Sequence, residues 1–87
     1  MAFEENEIVR LTNSYTHIPI LKSERIAQSG SSRIYTRVFL SDGSTLMAAY
    51  NSDLQENNAF FVFTDFFLNE KIHVPEVLAV SKNKQYY

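Results

Sequence analysis

The stretch that decides the fold reads RIYTRVFLSDGSTLMAAY and occupies residues 33–50. Side chains in 33–40 alternate between an aliphatic set and a set of aromatic and basic residues, which is typical of a strand with two different faces. Asp42 and Gly43 follow, and this dipeptide supplies the positive φ angles that a tight hairpin turn needs. Residues 45–50 then return as the next strand. The stretch therefore predicts an antiparallel β-hairpin.

Upstream of the hairpin, the sequence predicts a short helix and one further strand. Residues 4–15 begin with acidic side chains, which the helix dipole favours at this end. Apolar residues then follow at helical spacing, namely Ile8, Leu11 and Tyr15. Pro19 prevents the helix from continuing. Residues 22–29 are a weaker strand candidate, because only their centre is apolar.

Downstream, Ser52 and Gln55 have the spacing of a capping box, which predicts a helix that ends near Glu70. This helix is apolar nearly all round. Its main stripe consists of Phe60, Phe63 and Phe67, and Phe61 and Leu68 lie on the opposite side. A single sheet cannot cover such a helix. We expect a second surface against it, either the first helix, a missing lobe or another copy of the chain.

Residues 75–81 look like a fourth strand and residues 84–87 like the beginning of a fifth. The order helix, β-β-β, helix, β-β predicts one α+β domain over residues 1–87. Its antiparallel sheet would have five strands, packed against one main helix, with a short N-terminal helix beside it. The chain stops at two tyrosines inside the expected fifth strand. This ending favours a truncated piece of a longer chain.

Composition excludes several classes of protein. The 87 residues are 45% hydrophobic and contain no cysteine, so neither a disulfide framework nor a thiolate metal site is expected. His17 and His73 lie too far apart for zinc-ligand spacing. The net charge of −2 comes without a basic stripe, which argues against nucleic-acid binding. We expect neither a membrane span nor a secretory signal, and therefore a cytoplasmic protein.

Several segments in this order resemble a protein-kinase-like N-terminal lobe. Ser29, Gly30, Ser31, Ser32 and Arg33 lie between the first two strands, where a kinase places its glycine-rich loop. Residues 33–43 resemble the R-x-Y-x-R-V…D-G segment of bacterial amino-sugar kinases in the aminoglycoside phosphotransferase and choline kinase-like superfamily. Residues 74–79, VPEVLA, and the acidic helix opening at 56–60 are similar to the same group. The resemblance covers roughly residues 26–87.

This resemblance implies the nucleotide-covering lobe of a small-molecule phosphotransferase that acts on a sugar or amino sugar. Ser29–Ser32 would offer backbone N–H groups to the phosphates. Arg33 would steer phosphate, and Glu56 would orient a phosphate-binding partner. Ala49 would line the roof of the adenine pocket, together with Met47 and Tyr50.

The full-length protein would use ATP or GTP with magnesium, and its C-terminal lobe would supply the substrate site, the catalytic Asp of an H-x-D loop and a metal-binding Asp. Neither His17 nor His73 has an Asp two residues later. The chain alone is therefore expected neither to catalyse phosphoryl transfer nor to hold a nucleotide or a metal.

Two alternatives stay open. In the first alternative, the chain is a non-catalytic interaction module that forms a homodimer through its sheet edge or through its unusually apolar helix. Alternatively it is a pseudokinase lobe, because the third strand, residues 45–50, lacks the Lys that kinases place there. Each candidate residue also has a plain structural interpretation. Arg33 is then a surface strand residue, Glu56 a first-turn acid favoured by the helix dipole, and Ala49 part of the strand core.

Overall fold

The computed structural model describes residues 3–26 and 33–87 and arranges them as an α+β fold with two helices and one antiparallel sheet. In chain order the elements are α1 (Glu5–Tyr15), β1 (Ile20–Ile26), β2 (Ile34–Leu40), β3 (Thr45–Tyr50) and α2 (Leu54–Asn69). The sheet has three strands in the order β1-β2-β3, so β2 is the central strand. This confirms the α+β class, the two helices and the antiparallel sheet.

The β2–β3 hairpin forms as its sequence predicts. Phe39 pairs with Thr45, so residues 40–44 form the turn between the two strands. Gly43 adopts a φ of 90°, a left-handed conformation that glycine accepts without steric cost. Asp42 Oδ1 accepts hydrogen bonds from the Ser44 hydroxyl at 2.6 Å and the Ser44 N–H at 2.9 Å. These bonds lower the pKa of Asp42 below its usual value.

The core lies between α1 and one face of the sheet. From β2, Val38 and Leu40 are buried, and from α1, Ile8 is 1% exposed. Tyr86 completes this layer: its ring lies 4.7 Å from that of Tyr50, and its hydroxyl accepts a hydrogen bond from the Glu4 N–H at 2.8 Å. Tyr86 therefore belongs to the same core as the first helix.

The start of α2 differs from the capping box that the sequence predicted. The N-cap is Asp53, whose Oδ1 accepts the Glu56 N–H at 3.1 Å, and not Ser52. Both residues are good caps by type. The choice between them depends on where the chain leaves β3, and Asn51 Oδ1 fixes that point by accepting the Asp53 N–H at 3.1 Å.

We expect Asp53→Ala to lower the free energy of unfolding by about 0.5–2 kcal/mol, the usual value of an N-cap side chain. Urea denaturation followed by circular dichroism measures this loss. Ser52→Ala is the matched control and should change stability by only a few tenths of that amount. A larger loss in Ser52→Ala than in Asp53→Ala would contradict the observed cap.

The expected five-stranded sheet is not observed. Within the described residues, no strand forms over 75–81, and the expected fifth strand is reduced to an isolated bridge between Tyr50 and Tyr86. A strand needs a neighbour for its N–H and C=O groups. The chain turns back at 81–86, where Ser81 N–H donates to the Tyr86 carbonyl, and only Gln85 and Tyr87 reach the edge of β3 with backbone hydrogen bonds.

The sequence also predicted that one sheet cannot cover α2, and the exposure of its apolar side chains agrees with this. Asn57 and Thr64 are its buried residues, whereas Val62 is 67% and Phe63 60% exposed. Phe66, one turn further, is also exposed. Within the described residues, one side of α2 is thus an uncovered apolar stripe, which we call the α2 outer face (Ala59, Val62, Phe63 and Phe66).

Candidate functional site

An ion pair joins the beginning of β2 to the first turn of α2. Arg33, immediately before β2, places its guanidinium 3.3 Å from Glu56 Oε1. The side chain of Arg33 is 18% exposed and that of Glu56 53%. The guanidinium also lies 5.5 Å from the centre of the Phe60 ring, one turn further along α2. The sequence singled out Arg33 and Glu56 separately, and the fold brings them together.

Asn51 organises the acidic side of this pair. It is 2% exposed and follows directly after β3. Its Nδ2 donates to Glu56 Oε1 at 2.8 Å, which is the same oxygen that faces Arg33. Its own backbone is held as well, because its N–H donates to the Gln85 carbonyl and its carbonyl accepts Asn57 Nδ2 at 2.7 Å. Glu56 therefore has a fixed partner besides Arg33.

Ala49 lies on the other face of the sheet from the α1 core, as its position between the core residues Ala48 and Tyr50 requires. It is 4% exposed, pairs with Tyr35 on β2, and accepts the Tyr87 N–H at 2.9 Å. The ring of Tyr87 packs at 5.0 Å from Phe61 on α2. The strand β3, the C-terminal residue Tyr87 and the helix α2 thus meet beside Ala49.

An apolar cavity of about 570 Å³ opens along β3 at this place. Tyr35, Ala49 and Tyr87 contribute to its wall, and residues 75–79 line it as well. It continues round the edge of β3 as far as α1. Aliphatic, small and aromatic side chains make up most of its lining, which suits an apolar group rather than an ion.

The charge of the site is set by Arg33. Burial alone would lower the pKa of Arg33, but a hydrogen bond with Tyr35 and the nearby charges of Tyr87, Tyr35 and Glu56 outweigh it. Its pKa is therefore raised, and Arg33 is a permanent cation. Burial raises the pKa of Tyr87, and the positive charge of Arg33 opposes that shift only in part.

The structure locates three of the seven predicted site residues. Arg33, Glu56 and Ala49 lie around the end of the sheet described above. The predicted phosphate loop, Ser29, Gly30, Ser31 and Ser32, lies outside the described residues. Of the two residues expected beside Ala49, Met47 is 48% exposed on the same face, whereas Tyr50 belongs to the α1 core. Tyr50 is therefore excluded from any pocket on the face of Ala49.

Sequence reasoning missed Asn51, Tyr35 and Tyr87 as neighbours of Arg33 and Glu56. For Asn51 a signal exists. It directly follows the apolar end of a strand, and a buried amide side chain at such a position needs hydrogen-bond partners. Tyr35 lies two residues after Arg33 and hence on the same face of β2. Tyr87 carries no such signal, since its place depends on the route of the chain after α2.

Comparisons with protein-family models, with curated proteins and with solved structures give no match for this chain. Within residues 3–26 and 33–87, no group of three or more acidic, histidine or cysteine side chains is arranged to hold a metal ion. Over the same residues, neither helix combines the length and apolar character that a bilayer crossing requires. The candidate site is therefore defined by its geometry and chemistry alone.

Proposed function

We propose that the chain is the nucleotide-covering lobe of a cytoplasmic kinase-like phosphotransferase that acts on a small hydroxylated substrate such as a sugar or amino sugar. The described element order β1-β2-β3-α2 supports this proposal as far as it extends. So does the resemblance of residues 33–43 and 74–79 to amino-sugar kinases. The lobe lies over ATP or GTP, and a second lobe beneath it supplies the magnesium ligands, the general base and the substrate site.

The single observation that carries the proposal is the pair between Arg33 and Glu56. In kinases, a strand lysine contacts the α- and β-phosphates and is held by a glutamate of the helix that follows the third strand. β3 of this chain has no lysine, but Arg33 is a strand-side cation paired with a glutamate of α2. Its guanidinium suits phosphate oxygens, which it contacts through two parallel N–H groups.

The cavity beside Ala49 supports the same arrangement. A purine is apolar on its faces, and an apolar cavity beside a small strand residue can accept such a ring. With the base there, Arg33 lies toward the loop between β1 and β2, where the phosphates would be. Base and phosphate would thus contact different ends of the same sheet face.

Two experiments test this function. The first is genomic: the reading frame should continue past Tyr87 into a lobe with an H-x-D loop. A stop codon there would refute the two-lobe enzyme. The second is calorimetric titration of the complete gene product with MgATP and MgGTP, where binding of at least one is expected. Absence of binding to both would refute the nucleotide role, and binding without turnover of any sugar acceptor would favour a pseudokinase.

The α2 outer face favours a second candidate function, a module that self-associates. Val62, Phe63 and Phe66 are more than half exposed and adjacent on the helix, and exposed apolar patches mark interaction surfaces. Sedimentation of the complete gene product as wild type and as Phe63→Glu separates the two functions. A dimer that dissociates in Phe63→Glu, together with no nucleotide binding, would support the module. A monomer at every concentration would exclude it.

A further inference from the structure

We propose that the gap between β3 and residues 75–79, which we call the strand slot, binds the residues that follow Tyr87 in the complete gene product. They enter it as a further strand antiparallel to β3. This inference rests on the proposed function, in which the reading frame continues past Tyr87. Its basis is that two sets of backbone groups border the same gap, and that Tyr87 lies at the entrance between them.

The first wall of the strand slot is the edge of β3. Ala49 exchanges two backbone hydrogen bonds with Tyr87, at 2.6 and 2.9 Å, on the side that faces away from β2. Because the direction of hydrogen bonding alternates along an antiparallel strand, the N–H and C=O groups of Met47 and Thr45 point to this same side. Among the described residues, neither forms a backbone hydrogen bond there. Met47 and Thr45 therefore present the next hydrogen-bonding groups of the ladder that Tyr87 begins.

The second wall is the segment 75–79. Burial alternates along it, because Val77 and Ala79 are half-buried whereas Glu76 and Leu78 are exposed. This alternation is the pattern of a strand. Within the described part of the chain, no backbone hydrogen bond joins this segment to another one. The second wall thus has the form of a strand whose backbone groups are open to a neighbour.

Two hydrogen-bond registers place the same residues between these walls. On one side, the pairing of Tyr87 with β3 puts the second residue after Tyr87 opposite Met47. On the other side, the Ser81 N–H donates to the Tyr86 carbonyl at 3.0 Å, which puts the first residue after Tyr87 opposite Ala79. Successive residues of a strand bond to opposite neighbours, so the two registers agree. A strand that continues from Tyr87 therefore pairs with both walls.

The width of the gap suits one strand. Residues 85–87 lie between β3 and Ser81 and bond to both. The two walls therefore begin two strand spacings apart, which is about 10 Å. Beyond Tyr87, the cavity of about 570 Å³ is lined by β3 and by residues 75–79. The cavity thus continues the line of the strand that ends at Tyr87.

The lining of the cavity indicates the chemistry of the segment. Ile8 and Leu11 line it on the face of α1. The first residue after Tyr87 projects to that face, as Tyr86 does, because side chains alternate along a strand. We therefore expect this residue to be apolar. The part of the cavity on the face of Ala49 stays open for the purine of the proposed function.

The test is NMR spectroscopy of the complete gene product. Hydrogen exchange compares the Met47 amide with the Arg25 amide, which points away from β2 at the opposite edge of the sheet and serves as the control. We expect the Met47 amide to exchange at least about a hundredfold more slowly, because a paired amide exchanges only when the strand opens. An Hα–Hα NOE is also expected between Ala48 and the first residue after Tyr87, which form a close non-hydrogen-bonded pair.

Equally fast exchange of the two amides, or absence of the NOE, would overturn the strand slot and leave the nucleotide role to the MgATP titration. An NOE that appears only between labelled and unlabelled chains of a mixed sample would also overturn it, because a second copy then supplies the strand. Slow exchange with the NOE, but without nucleotide binding, would support the strand slot and refute the nucleotide role. A reading frame that stops at Tyr87 would refute both proposals.

Discussion

Tyr86→Ala is expected to destabilise the fold by about 3–5 kcal/mol, the cost of removing a large buried aromatic side chain. Tyr86 is 2% exposed, and its ring contacts those of Tyr50 at 4.7 Å and Phe3 at 6.2 Å. Its removal separates the C-terminal residues from the N-terminal helix, because the same side chain bonds to the Glu4 N–H. For a domain of this size, such a loss is a large part of the total stability.

Tyr86→Phe is the matched variant, since it keeps the ring and removes only the hydroxyl. We expect it to cost about 1 kcal/mol, the net value of one hydrogen bond. Equilibrium urea unfolding of the three proteins measures both differences. Equal losses in the two variants would mean that the hydroxyl, not the ring, holds the termini together, which would contradict the proposed core.

The same residue gives the stability a pH dependence of known sign. Burial raises the pKa of Tyr86 above its value in the unfolded chain, which is about 10. Above that pH the folded state keeps a proton that the unfolded state has lost, so the free energy of unfolding falls as pH rises. Tyr86→Phe lacks this group, and its stability should fall less steeply above about pH 10. A steeper fall in the variant would reverse the assigned direction.

Arg33→Met should weaken the binding of MgATP to the complete gene product by about tenfold to a hundredfold, as expected for loss of a hydrogen-bonded charge. Methionine keeps an unbranched stem against the Phe60 ring. The free energy of unfolding should fall by about 2 kcal/mol, about 1 kcal/mol for the partly exposed ion pair and about 1 kcal/mol for the hydrogen bond with Tyr35. Calorimetric titration and urea unfolding measure the two quantities.

Two further variants show whether the effect belongs to the guanidinium. Arg37→Met removes an exposed arginine from the same face of β2 and should leave MgATP affinity unchanged. Arg33→Lys keeps the charge without the planar fork and should lie between wild type and Arg33→Met. If Arg33→Met binds MgATP with wild-type affinity, Arg33 does not contact the phosphates and this part of the proposal is wrong. Equal weakening in Arg37→Met would indicate a general effect of net charge instead.

The sequence by itself determined those elements whose signals lie within a few residues. The β2–β3 hairpin follows from alternation and from Asp42 and Gly43 in the turn, and all of these act locally. α1 follows from helical spacing of apolar residues in the same way, and α2 from a capping signal followed by a long apolar segment, although its N-cap is Asp53 and not Ser52. The incomplete covering of α2 was also visible, because Phe61 and Leu68 lie on the side opposite its main apolar stripe.

Only the tertiary structure decided the features that depend on distant parts of the chain. Residues 75–81 have strand composition but pair with no strand among the described residues, and a local pattern does not reveal whether a partner exists. Arg33 and Glu56 lie 23 positions apart and meet because the sheet and α2 converge at Asn51. The physical reason is the same in both cases. Propensity acts between neighbours in sequence, whereas hydrogen-bond partners and ion pairs are set by the path of the whole chain.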